Sequence, residues 1–435
     1  MIAEKQTAAH TNYELTTLDN GLRIITATMP HTRSAAVQFY VGVGARHEQP
    51  ARSGVSHFVE HMVFKGTERR PNPVQISEAI EGVGGSFNAC TDHEHTNYRA
   101  LVPSDYFETA VDVITDMLRN PRLTLEDVEK ERAVIIEEIS STYDAPGEIV
   151  DLNFDALLWM GHPLGVDVAG TKQTVKRLKR PDLADHMAQF YNPQNIVVSV
   201  AGNVLHEEVV FEIERRWGDL APGTQKRTQS LESPVAQVGP RISSYKKRTE
   251  QLNLILGVPA LPYTHPNRYV QEVLDSILGG GMSSRLFVEL RENRGLAYSV
   301  SSFVKSYDDV GAFGVHAAID NEMLAPALTA IVDELKRISA EAVPEIELRK
   351  VKEFIKGHTL LGLERSGYVA HWAGWQQLML GRIDSVEEAL ERIEAVTAQD
   401  VQTLAGELFK TSNLHLSLVG PARSDEEVAP FLQID

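Results

Sequence analysis

Two stretches of this sequence present the same order of features 218 residues apart, and that repeat limits the fold more than any other feature. One is DLADHMAQFYNPQNIVVSVAGNV, from Asp182 to Val204. The other is DVQTLAGELFKTSNLHLSLVGPA, from Asp400 to Ala422. Each starts at Asp and runs as an amphipathic helix into an aromatic, Tyr191 or Phe409. Each then turns through an Asn (Asn195, Asn413), continues as an apolar strand and stops at Gly202 or Gly420. A constant offset through helix, turn and strand is the mark of an internal duplication. AAVQFYVGVGAR (from Ala35) and LNLILGVPALPY (from Leu252) are both strand-like, while Tyr106–Arg119 and Leu324–Ile338 carry apolar residues at helical period. The segment from Leu220 to Pro240 is rich in Pro, Gly, Ser, Thr and Gln and has no apolar period, as a linker should. The expectation is an α+β chain of two homologous domains, residues 1–225 and 241–435, joined by 226–240. Each would be a mostly antiparallel sheet covered by helices on one face.

Composition narrows the function. The formal net charge of -18 argues against nucleic acid, whose phosphates need Lys/Arg surfaces. Cys90 is the single cysteine, so the chain has no internal disulfide, and a metal site must use His and carboxylates. No apolar run is long enough to span a bilayer, and the opening residues lack the pattern of a secretory or transit segment. These readings predict a cytoplasmic protein without a membrane partner.

SGVSHFVEHMVFKGT, from Ser53 to Thr67, reads as a helix ending near Lys65-Gly66. At 3.6 residues per turn, His57, Glu60, His61 and Phe64 share one side, and Val55, Val59, Met62 and Val63 the other. Histidines at i and i+4 project two imidazoles from adjacent turns, which suits two ligands of one zinc. Glu60 lies on the same side, where a carboxylate can take a proton from a water and pass it on. The order H-x-x-E-H inverts the commoner H-E-x-x-H and marks the inverzincins. A third ligand is sought in LEDVEKERAVIIEEISSTY, from Leu125 to Tyr143, where Glu131 and Glu138 share a helix face and Glu137 lies off it.

HFVEHMVFKGT, followed 77 residues after His61 by Glu138 in ERAVIIEE, resembles the pitrilysin and mitochondrial processing peptidase family. The resemblance extends from NGLRIITATMP near Asn20 to LSLVGPA near Leu416. It implies that His57, His61 and Glu138 bind one Zn2+, that Glu60 is the base, and that Glu131 orients a ligand histidine. Were Glu137 the ligand, the pairing with Glu131 would be lost. In GGSFNACTDHEHTNY, from Gly84 to Tyr98, Asn88-Ala89 match the family's substrate-binding edge strand, and an edge strand can accept an extended peptide. His93 and His95 read as ordinary polar strand residues.

The second half has no zinc motif: Gln271, Leu274 and Asp275 stand near the positions of His57, Glu60 and His61. It carries GGGMSSRLFVELRENRGLAYSV, from Gly279 to Val300. Arg291 and Tyr298 match an Arg/Tyr pair that, in the family, holds substrate backbone and donates to the developing oxyanion. The resemblance implies half of a clamshell that pairs with a second chain, with the Arg/Tyr segment of one subunit facing the zinc of the other. Because this chain carries both sets, a homodimer is expected, and a heterodimer is the alternative. The function expected is a zinc endopeptidase acting on unfolded peptides or presequences. A non-catalytic partner subunit and a zinc hydrolase of non-peptide substrates are the competing readings.

Overall fold

The computed structural model describes residues 13–223, 239–421 and 423–435. Of the linker expected over 226–240, only the last two residues fall within that range. The strands are β1 (Tyr13–Thr17), β2 (Arg23–Thr28), β3 (Ser34–Val41), β4 (Ser86–Thr91), β5 (Thr96–Pro103), β6 (Ile196–Gly202), β7 (Arg241–Lys246), β8 (Gln251–Ala260), β9 (Ala297–Ser306), β10 (Gly311–Asp320) and β11 (His415–Gly420). They form two sheets, ordered β1-β2-β6-β3-β5-β4 and β7-β11-β8-β10-β9. Each sheet is antiparallel except for one parallel pair, β2 with β6 and β7 with β11.

The helices used below are α1 (Val55–Val63), α2 (Phe107–Arg119), α3 (Leu125–Thr142), α4 (Pro146–Leu158), α5 (Arg180–Phe190), α6 (His206–Trp217), α7 (Arg268–Leu278), α8 (Leu324–Ala340), α9 (Glu345–Gly362), α10 (Ser366–Met379) and α11 (Ala398–Leu408). The duplication is visible element by element. An offset of 218 residues carries β2 onto β7 and α5 onto α11 at both ends, and the turn 193–195 onto 411–413. It also places α4 within two or three residues of α10.

Two compact units result, but they do not divide the chain at one point. Among the described residues, the first comprises 13–139, 167–223 and 359–387, and the second comprises 140–166, 239–358, 388–421 and 423–435. They therefore differ from the expected halves at 140–166 and 359–387. The helix α4, from the first half of the chain, packs on β7, β8 and β11 of the second sheet. Its counterpart α10, from the second half, packs on β2, β3 and β6 of the first.

This exchange corrects the expectation that helices cover one face. In β3, Ala35, Val37, Phe39 and Val41 enter a core shared with α1, α2 and α6. The alternate residue Ala36 joins Val369 and Ala370 of α10, and Tyr40 Oη lies 2.7 Å from His371 Nδ1. Successive strand side chains point to opposite faces, so a strand buried on both reads as a continuous apolar run, as AAVQFYV does. In the second unit, Ile149, Val150 and Phe154 of α4 meet Ile255 and Val419, while α7 and α11 pack on the strands and on each other. No helix among the described residues is long and apolar enough to cross a membrane.

Candidate metal centre

Helix α1 is fixed from below and at its start. Val55, Phe58, Val59, Met62 and Val63 are at most 2% exposed, and burying a side chain of this size contributes roughly 1.5–3 kcal/mol. The other side keeps His57, Glu60, His61 and Phe64 half-buried, as the helical period predicts. The helix stops at Val63, two residues before the expected end. Gly54 precedes it at φ 91°, where a Cβ would come within 2.5 Å of the Ala169 carbonyl oxygen, so only glycine fits there.

Gly54 has no side chain to cap the helix. Glu48 does so from a distance, accepting from the Gly54 and Ser56 amides at 2.7 Å each. Burial pushes the Glu48 carboxyl up to about 7, against the pull of those two amides. Sequence reading missed this residue, because the cap is supplied by a separate turn and not by the residue before the helix.

Helix α3 brings the carboxylates. Glu138 Oε2 lies 3.8 Å from His57 Nε2 and 3.6 Å from His61 Nε2. Glu131, buried on the same helix, lies with Oε2 3.1 Å from His61 Nδ1 and accepts from Lys65 Nζ at 2.8 Å. Burial raises the Glu131 carboxyl, but the bonds from His61 and Lys65 outweigh it and hold the group below its ordinary value. Glu131, as a carboxylate, accepts from His61 Nδ1, and the other ring nitrogen, Nε2, faces Glu138. Burial, then the charge of His61, lowers His57 to about 4. This keeps His57 neutral, and its Nδ1 is buried with no hydrogen-bond partner. Glu137 is exposed on α3.

Two imidazole nitrogens and a carboxylate oxygen therefore converge from two helices, a donor set that suits one metal ion. Their ligand atoms lie within 4.8 Å of one another. Tetrahedral zinc with N and O ligands holds such atoms roughly 3.4 Å apart, so the residues present fit the ion. Among the described residues, no other group of three His, Cys, Asp or Glu side chains is placed to hold a metal. His93 and His95 lie in the turn between β4 and β5, not on a strand as expected. The His95 ring sits 5.9 Å from that of Tyr40.

Glu60 sits beside the cluster. Burial raises its carboxyl above the ordinary range, opposed by the Thr91 hydroxyl. Among the described residues, strand β4, with Asn88 and Ala89, forms the edge of the first sheet and pairs only with β5. Asn88 is exposed and Ala89 half-buried. Phe87 of β4 meets Phe64 beyond the end of α1, with rings 5.4 Å apart.

Arg291 and Tyr298 belong to the second unit and meet there. The guanidinium of Arg291, on the π-type helix Phe287–Asn293, lies 5.8 Å from the Tyr298 ring and 5.1 Å from that of Phe287. Tyr298, on β9, is 72% exposed. On α7, Gln271 and Leu274 are buried and no histidine is present.

Residues 23–172 match the family described as Insulinase (Peptidase family M16), and residues 177–354 match the Peptidase M16 inactive domain. An uncharacterized zinc protease of Mycobacterium leprae is 37% identical over 99% of this chain and 97% of its own. Another, from Streptomyces coelicolor, is 37% identical over 94% of this chain and 90% of its own. Among solved structures, a Helicobacter pylori protease superposes with a TM-score of 0.89 at 22% identity, covering 94% of this chain and 100% of that one. The chain belongs to peptidase family M16 and is a zinc metalloendopeptidase.

Proposed function

We propose that His57, His61 and Glu138 hold the zinc, that Glu60 moves the protons of peptide hydrolysis, and that the substrate is an unfolded or presequence-like segment laid along β4. The observation that carries this reading is the convergence of three lone-pair donors beside a carboxylate, next to an open strand edge. Zinc, when bound, polarises the scissile carbonyl and brings the pKa of water towards neutrality. The chain supplies the rest. The backbone of β4, around Asn88 and Ala89, binds the peptide as an added strand and holds it extended. Glu60 takes a proton from the attacking water and gives it to the leaving amine nitrogen as the C–N bond breaks. Glu131 fixes the ring of His61 so that Nε2 stays aimed at the ion.

Arg291 and Tyr298 would act on a substrate held by another copy of the chain. The guanidinium binds peptide carbonyls, and the phenol donates a hydrogen bond to the carbonyl oxygen as it gains charge. The resemblance to processing peptidases and the presence of both residue sets in one chain support a homodimer enclosing a chamber. A heterodimer with a non-catalytic relative is the second arrangement, and the mass of the purified chain in solution separates the two.

Two measurements test the metal ligands. Glu138→Gln is expected to release zinc at concentrations where Glu137→Gln retains it, as read by metal analysis after dialysis. If both variants lost zinc equally, the assignment of Glu138 would be wrong. Glu131→Gln is expected to weaken zinc binding about 10- to 100-fold while leaving the fold intact, as measured by competition with a chelator. Unchanged affinity would remove Glu131 from the site. Cleavage of an unstructured peptide, set against a non-peptide ester, separates a peptidase from a hydrolase of other substrates.

A further inference from the structure

Thr91 is the last residue of β4 and pairs with Thr96 across the hairpin. Along β4 the side chains alternate. Ser86, Asn88 and Cys90 are exposed, and Phe87, Ala89 and Thr91 are half-buried. Phe87 and Ala89 pack against the core that contains α1. Thr91 continues this inward row by two more residues and reaches the helix where its polar side begins. Its hydroxyl donates to Glu60 Oε2 at 2.5 Å, across 31 residues of sequence. The Thr91 backbone amide also favours the charged form of Glu60. Nearby, buried Tyr98 and half-buried Tyr191 lie with their hydroxyl oxygens 2.8 Å apart.

The carboxylate of Glu60 has rotamer freedom of its own, and a general base must meet its proton within hydrogen-bond reach. A hydroxyl on the neighbouring strand removes that freedom. The strand end that holds Glu60 is also the end of the edge on which the peptide would lie.

We infer that Thr91 is a positioning residue: it orients the Glu60 carboxylate and ties that orientation to the strand that binds substrate. This rests on the proposed reading of Glu60 as the base and of β4 as the substrate strand. The side chain of Thr91 is not required for zinc binding, because it meets none of the three ligand residues. Nor is it required for peptide pairing, which uses the backbone of β4.

Thr91→Val replaces the hydroxyl by a methyl of nearly equal size and keeps a β-branched residue in a strand. It is expected to lower kcat about 10- to 100-fold, with KM within about twofold, zinc content unchanged and an unaltered melting temperature. Thr91→Ser restores the hydroxyl and is expected to recover kcat to within about threefold of the parent chain. If Thr91→Val kept kcat within twofold, the inference would be overturned. It would be overturned equally if Thr91→Ser were as impaired as Thr91→Val, since the hydroxyl would then be present without restoring kcat. Glu60→Gln is run beside them. Cleavage by Glu60→Gln removes the base itself and this inference with it. An inactive Glu60→Gln together with a fully active Thr91→Val removes the role of Thr91 alone.

Discussion

Glu60→Gln is expected to keep one zinc per chain and to lose roughly 10²–10⁴ in kcat. The amide matches the carboxylate in size, so α1 keeps its packing and His57 and His61 keep their positions. Glu60 is not among the three groups placed to hold a metal. What the amide lacks is the capacity to take a proton. It can still accept the Thr91 hydroxyl through its carbonyl oxygen, so local order is preserved while chemistry stops. The decisive measurement pairs metal analysis with single-turnover cleavage of an unstructured peptide. Activity within tenfold of the parent chain would remove Glu60 as the proton carrier. Loss of zinc along with activity would show that Glu60 supports the metal, and the kinetic result would then carry no mechanism.

The second large effect concerns assembly. Glu60→Gln and Tyr298→Phe should each be nearly inactive alone, yet recover activity when mixed under conditions that let subunits exchange. In a symmetric dimer, random mixing makes about half of the dimers mixed. If Tyr298 acts in trans, each mixed dimer contains one zinc site with an intact Glu60 and an intact Tyr298 of the partner subunit. Recovery should approach about a quarter of parental activity. If Tyr298 acts within its own chain, no mixed dimer has a complete site and mixing restores nothing. The exposure of Tyr298, at 72%, leaves its hydroxyl free to meet a group outside its own unit. A chain that remains monomeric while active would end the trans reading without any mutation.

The two halves of the candidate site were legible because helical period is local information, and the family resemblance joined them. His57, Glu60 and His61 lie within two turns of one amphipathic helix, and Glu131 and Glu138 lie two turns apart on another. Helical period alone places each set on one side. The duplication was legible because the offset between Asp182–Val204 and Asp400–Ala422 never changes, and the structure extends it to β2 with β7 and to α4 with α10. Glu48 and Thr91 were not legible. Glu48 works through two amides of the helix start, and Thr91 through a hydroxyl bond to a residue 31 positions away, yet a glutamate in a turn or a threonine in a strand is ordinary in both places. The two-sided burial of β3 did leave a trace in AAVQFYV, a run with too few polar residues for a sheet wet on one face. The exchange of α4 and α10 left none, because a repeat shows which helices correspond but not which sheet each one covers.

That exchange bears on how such a chain arose. A gene encoding one repeat would make a polypeptide whose sheet has one face dressed by its own helices and the other bare. The bare face could be filled only by the matching helix of a twin, so the ancestral protein would be an obligate pair that traded arms. Tandem fusion would turn that trade between molecules into one within a single molecule, where it no longer depends on concentration. Either half of the modern chain, expressed without the other, inherits the ancestor's exposed apolar face. It is expected to aggregate or to pair, and co-expression of the two halves is expected to rescue both.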